Sequence, residues 1–192
     1  MDYKNSVKII EDAYLSHKNR YNSILDWTVS NPYKKYNKSQ ANKIEKNWGN
    51  AMIRMKDNNQ WTTKLGEYIV SETLKKRGCN TWKPKMINHY RPDLETNNFI
   101  YEIKTRNWTT SGTAGEKVYG VPYKYSDIPR LYSKPLRIVC VAYQEYELTH
   151  GNSNVFGDKI SKEKKEMLDF WKSKHIEFIP FTTILSDLNL LI

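Results

Sequence analysis

The chain has 192 residues, enough for one well-buried core and too few to count on two; 39% of them are hydrophobic, which excludes a disordered polar chain although 27% are charged. Thirty-one Lys and Arg against 21 acids give a formal net charge of +10, an excess that suits a polyanionic partner. The two cysteines, Cys79 and Cys140, form no C-x-x-C pair, the opening MDYKNSVKII lacks the apolar stretch of a signal peptide, and no run approaches the roughly 20 apolar residues of a membrane span, so the expectation is a soluble, cytoplasmic protein with reduced thiols, no zinc site and no membrane partner.

In chain order, Val7, Ile10, Tyr14, Ile24 and Leu25 predict a helix within 3–26, and Ile44, Trp48, Met52 and Met55 predict a second over 39–57. Thr62 or Thr63 can cap a third that runs to Arg77 and stops at Gly78. On it Glu67, Val70 and Leu74 share one stripe, which turns a carboxylate inward. KMINHYRPD then reads as a strand approaching Asp93, ETNN as a turn, and FIYEIK as a strand of period two. The Gly- and Pro-rich stretch 109–135 reads as a long structured loop. LRIVCVAY, 136–143, fits a buried central strand. A helix over Ser161–Lys174 follows, and IEFIPF is a last strand whose Pro180 favours an edge or a strand end. No repeat or linker interrupts the series. The expected architecture is α/β or α+β: one domain over 1–192, with a helical segment 1–58 and a core 59–192 built on a mixed central β-sheet flanked by helices.

Chemistry concentrates in RPDLETNNFIYEIKTRNW. Residues two apart on a strand share a face, so Ile100, Glu102 and Lys104 point one way, into a cleft, while Phe99, Tyr101 and Ile103 point toward the core. A turn at Thr96–Asn98 lays Asp93 beside Glu102 on the neighbouring strand. Two converging carboxylates repel unless a hard cation lies between them, and Mg²⁺, with Mn²⁺ as a substitute, accepts such a pair together with water and phosphate oxygens. Lys104 stands where an ammonium would orient the water or meet developing charge.

Pro92-Asp93 and Glu102-Ile103-Lys104, preceded by a helix bearing Glu67, resemble the motif of the PD-(D/E)xK nuclease superfamily, in which type II restriction endonucleases are the largest group. The resemblance covers about residues 60–145. It implies a restriction-endonuclease-like core in which Asp93 and Glu102 bind Mg²⁺ and Lys104 assists the water. A fourth catalytic, metal-binding carboxylate would come from the helix, at Glu67 or, with the helix rotated, Glu72. The activity implied is site-specific hydrolysis of double-stranded DNA by a homodimer.

Around the motif, Arg91, Arg106 and Asn107 are residue types that read base edges or hold phosphates, and the loop adds Thr113, Lys117 and Lys124 as further candidates for DNA contact. The scattered histidines exclude an HNH-type site. Two other functions fit the same residues: a repair or recombination nuclease of the same fold, and a basic DNA-binding module without turnover.

Overall fold

The computed structural model describes residues 20–54, 56, 59–109 and 113–186. Three helices come first: α1 (Arg20–Val29), α2 (Lys38–Met52) and α3 (Trp61–Lys76). Strands β1 (Leu94–Glu95) and β2 (Ile100–Arg106) follow, then a 3-10 segment (Thr113–Gly120) continuing into the short helices α4 (Val121–Lys124) and α5 (Ile128–Tyr132). The chain closes with β3 (Leu136–Ala142), α6 (Tyr143–His150), α7 (Lys162–Ser173), β4 (Ile176–Pro180) and α8 (Phe181–Ser186). The fold is mixed α and β. No helix among the described residues is long and apolar enough to cross a membrane.

The Asn37 side chain caps α2 by accepting the Gln40 N–H at 3.0 Å, and Ile44, Trp48 and Met52 line the buried face of that helix as their spacing predicts. The helix expected over 3–26 is represented by α1; Val7, Ile10 and Tyr14, like Met55 of the second helix, lie outside the described residues. Helix α3 begins earlier than its threonines suggest, at Trp61, and no side chain caps it. Packing fixes that start: the Trp61 ring lies 6.0 Å from Trp27 and directly against Gly49 of α2, where a Cβ would have no room. It stops as expected, with Gly78 at φ +79°.

One expected strand is absent. KMINHYRPD makes a tight turn instead, in which Asn88 (φ 48°) and His89 (φ 67°) adopt left-handed conformations while Ile87 and Tyr90 exchange N–H···O bonds. Positive φ at both central residues is the geometry of a type I′ turn, which ends a strand rather than continuing it. His89 is therefore an exposed turn residue. The chain reaches the sheet only at Leu94.

The four strands lie in the order β1-β2-β3-β4. Antiparallel β1 and β2 pair Leu94 with Tyr101 and Glu95 with Ile100, whereas β2, β3 and β4 are parallel. Both faces of the sheet are covered. Tyr101, Ile103, Val139 and Val141 pack under α1–α3 and α8, with Ile24, Trp27, Leu65, Ile69 and Phe181. On the other face Ile100, Ile138 and Cys140 pack with Val118, Val121, Tyr125, Ile128 and Leu148. Thus Ile100, expected to look into a cleft with Glu102 and Lys104, is fully buried in the second core, and this face opens only toward the C-terminal end of β2. The sheet's margins are short: the outer side of β1 is occupied by Trp82, which exchanges two backbone hydrogen bonds with Glu95, and β4 ends at Pro180.

Candidate active site

Asp93 sits at the point where β1 gives out. Its N–H still donates to Tyr101 O at 3.1 Å, but one step further the main chain supplies no partner, and Asp93 Oδ2 accepts the Ile103 N–H at 2.8 Å instead. The carboxylate thus completes the β2 ladder and is held in one orientation by it. The hairpin register places Asp93 beside Glu102, which is 4% exposed. Lys104, two residues on, reaches back with Nζ 2.5 Å from Glu102 Oε1, while Glu102 Oε2 is buried without a close donor and the Tyr125 hydroxyl approaches the same carboxyl.

Electrostatics follow from burial. Desolvation pushes both carboxyls above the ordinary carboxylate range. For Asp93 the Ile103 N–H and Lys104 pull the other way and Glu67 adds to the rise; for Glu102 the Asp93 charge adds to it and Lys104 opposes. Tyr125, the C-terminal cap of α4, faces the pair, and burial together with the Glu102 and Asp93 charges raises its phenol well above the usual tyrosine range. Tyr125 therefore stays protonated at neutral pH and can donate a hydrogen bond.

Glu67 is brought to Asp93 but not into a three-acid cluster. Its carboxylate pairs with Lys64 at 3.0 Å across a cavity of about 440 Å³ that it shares with Asp93, Glu72, Lys83 and Ser71. Glu72 pairs with Lys75 at 2.7 Å. Among the described residues no three His, Cys, Asp or Glu side chains gather closely enough to hold a metal ion. The donor set is accordingly two carboxylates, Asp93 and Glu102. That set suits a hard cation such as Mg²⁺, which keeps several waters and takes one or two carboxylates.

The six residues expected at the nucleic acid separate into two groups and one position outside the description. Lys117 and Lys124 are exposed and line, with Lys104, a cavity of about 510 Å³ at the C-terminal end of β2, and Arg91 is exposed next to Pro92. Arg106 and Asn107 turn inward, contrary to the expectation that they face bases. Arg106 is 6% exposed, pairs with Glu147 and lies 5.0 Å over the Tyr143 ring. Asn107 donates to Glu45 Oε2 at 3.3 Å and to Thr109 Oγ1 at 3.1 Å. Internal carboxylates claim both side chains. Thr113 opens the 3-10 segment, and its side chain lies outside the description.

Residues the sequence did not single out complete the surroundings. Lys83 lies beside Asp93, and Gln144 lines the basic cavity from the start of α6. Neither belongs to a motif with fixed spacing; Gln144 could have been sought only as the residue that follows a buried parallel strand, where ligands tend to bind. Compared with known proteins, the chain matches no family model, no curated protein and no solved structure.

Proposed function

We propose that the chain is a magnesium-dependent endonuclease that hydrolyses phosphodiester bonds of double-stranded DNA, on a core of the PD-(D/E)xK type, with Asp93, Glu102 and Lys104 as catalytic residues. The observation that carries this reading is the convergence of a buried carboxyl, Glu102, and a half-buried one, Asp93, beside one ammonium. Such carboxylates ionise together most readily around a shared cation, and Mg²⁺ there would supply charge stabilisation and a more acidic water. The chain's own residues do the rest. The Ile103 N–H fixes Asp93, and Glu102 anchors Lys104, which is left about one-third exposed to orient a water or meet charge on the phosphate. Protonated Tyr125 holds the Glu102 carboxyl from the same side. A homodimer would bring one such site to each strand.

The inward positions of Arg106 and Asn107 favour a second reading within this class, a repair or recombination nuclease that does not read sequence through these residues. One assay addresses both. Plasmid DNA is incubated with the protein and Mg²⁺, Mn²⁺, Ca²⁺ or EDTA, with binding followed in parallel. Cutting is expected with Mg²⁺ and Mn²⁺; with Ca²⁺, whose longer and more numerous ligand bonds loosen the geometry, binding should persist while cutting stops. Asp93→Ala, Glu102→Ala and Lys104→Ala should each lower the rate by on the order of 10²-fold or more. Cutting in EDTA, or near-normal cutting by Asp93→Ala, would end the proposal. Discrete bands identify a site-specific enzyme and a smear one that is not.

A further inference from the structure

The cavity beyond Lys104 has a composition the cleavage reaction does not account for. Its cationic side chains come from separate elements: Lys104 and Arg106 from β2, Lys117 from the 3-10 segment and Lys124 from α4. Among the described residues no carboxylate lines it. The nearest acids are engaged at its borders, Glu102 with Lys104 and Glu147 with Arg106. Into this basic space the sheet delivers Gln144, in the first turn of α6. Gln144 is 4% exposed, and its Nε2 amide is buried without a hydrogen-bond partner.

A buried amide donor with no acceptor is costly, and the cost is removed when a ligand oxygen supplies one. The described side chains of the cavity are weighted toward donors and positive charge: four cations and the Gln144 amide N–H, against the hydroxyls of Thr105 and Tyr125 and the Gln144 amide oxygen. The start of α6 adds the partial positive charge of a helix N-terminus. That excess of positive charge favours an oxyanion, which draws on the lysines as well as on the amide donor, over a neutral sugar or base edge, which would leave the cations uncompensated.

We infer that this cavity binds a phosphate of the nucleic-acid strand next to the one attacked at Asp93 and Glu102, with Gln144 Nε2 donating to a phosphate oxygen and Lys117 and Lys124 neutralising its charge. The identity of the strand rests on the nuclease reading; the anion site does not. The phosphate is either a diester within the strand or a monoester at its end, and the chemistry on the protein's side is shared.

The test measures binding of the full chain to fluorescent duplex oligonucleotides in EDTA, so that cleavage and metal play no part, at several salt concentrations. One duplex has 5′-hydroxyl ends and the other 5′-phosphates. Replacing Lys117 and Lys124 together with Ala should reduce the slope of log affinity against log salt by about 1, the loss of one neutralised phosphate, and Lys117→Ala alone by roughly half of that. Gln144→Leu, which removes a neutral donor, should weaken binding by about tenfold and leave the slope unchanged. Equal losses on both duplexes assign a diester; losses confined to the phosphorylated duplex assign a terminal monoester. An unchanged slope in the lysine variants, or a folded Gln144→Leu that binds as the wild type does, overturns the inference. Lys117 is exposed, so its replacement decides the matter even if Gln144→Leu does not fold. A chain that shows these losses yet leaves plasmid uncut keeps the phosphate site and loses the nuclease, whereas one that cuts while all three variants bind normally keeps the nuclease and loses the site.

Discussion

Burial holds Asp93 and Glu102 above the ordinary carboxylate range, and each opposes the other's ionisation. The native state therefore binds more protons than the unfolded chain between the ordinary carboxyl value, about 4, and the raised ones. Stability contributed by these groups is present below that window and is lost as pH rises through the folded values. Metal-free protein should accordingly unfold at a higher temperature in mild acid than this pair alone permits at neutral pH. Asp93→Asn, whose side-chain carbonyl can still accept the Ile103 N–H, should raise the neutral-pH unfolding temperature while abolishing cleavage. Thermal unfolding in EDTA across that range checks it; an Asn variant that melts below the wild type at neutral pH contradicts it. The pair was legible in the sequence because a turn and a strand of period two fix which side chains meet. The inward placement of Arg106 and Asn107 was not legible, because residue type tells what a side chain can bind, not which internal group engages it. Their partners Glu147 and Glu45 lie 41 and 62 residues away in sequence.

Helix α3 lies tightly against β2 at Gly66. A Cβ on Gly66 would lie 1.6 Å from Thr105 Oγ1, so glycine is required there by close approach, not by backbone conformation. Helix propensity favours Gly66→Ala by about 1 kcal/mol. Overpacking at such a contact costs about 1–3 kcal/mol, and it should win. Urea unfolding is expected to show net destabilisation, partly relieved when Thr105→Ala is added, because the closest atom is the hydroxyl. On the proposed reading cleavage should fall as well, since the clash displaces Thr105, the neighbour of Lys104 on β2. A Gly66→Ala protein as stable and active as the wild type would refute this account. The course of α3 was readable from its apolar stripe, but its start was not, because Trp61 is set by Gly49 and Trp27 rather than by a cap. Helix α6 escaped notice for a related reason: it follows Ala142, at φ 57°, without a side-chain cap.

Glu45 shows why the helices and the sheet form one structure. Fully buried, it accepts the Trp27 Nε1–H at 2.9 Å, the Trp108 and Thr109 N–H groups at 2.9 and 3.1 Å, and the Thr109 hydroxyl at 2.6 Å. It thereby ties α1 and α2 to the chain leaving β2 just after Lys104. Glu45→Ala strands several buried donors at once and should cost at least about 3 kcal/mol, with cooperative loss of helices and sheet together; a variant within about 1 kcal/mol of the wild type by denaturant unfolding would refute that role. Composition and period made the mixed sheet and its flanking helices legible, whereas this network joins residues too far apart in sequence for any local pattern to signal. The sheet's short margins carry a consequence for the protein in concentrated solution. With Trp82 filling the side of β1 and a proline closing β4, neither margin offers a long row of unpaired peptide groups for a second copy to template on. Fibrillar growth by strand addition is thereby discouraged, and copies that associate must do so through side chains, where charge and salt govern the encounter.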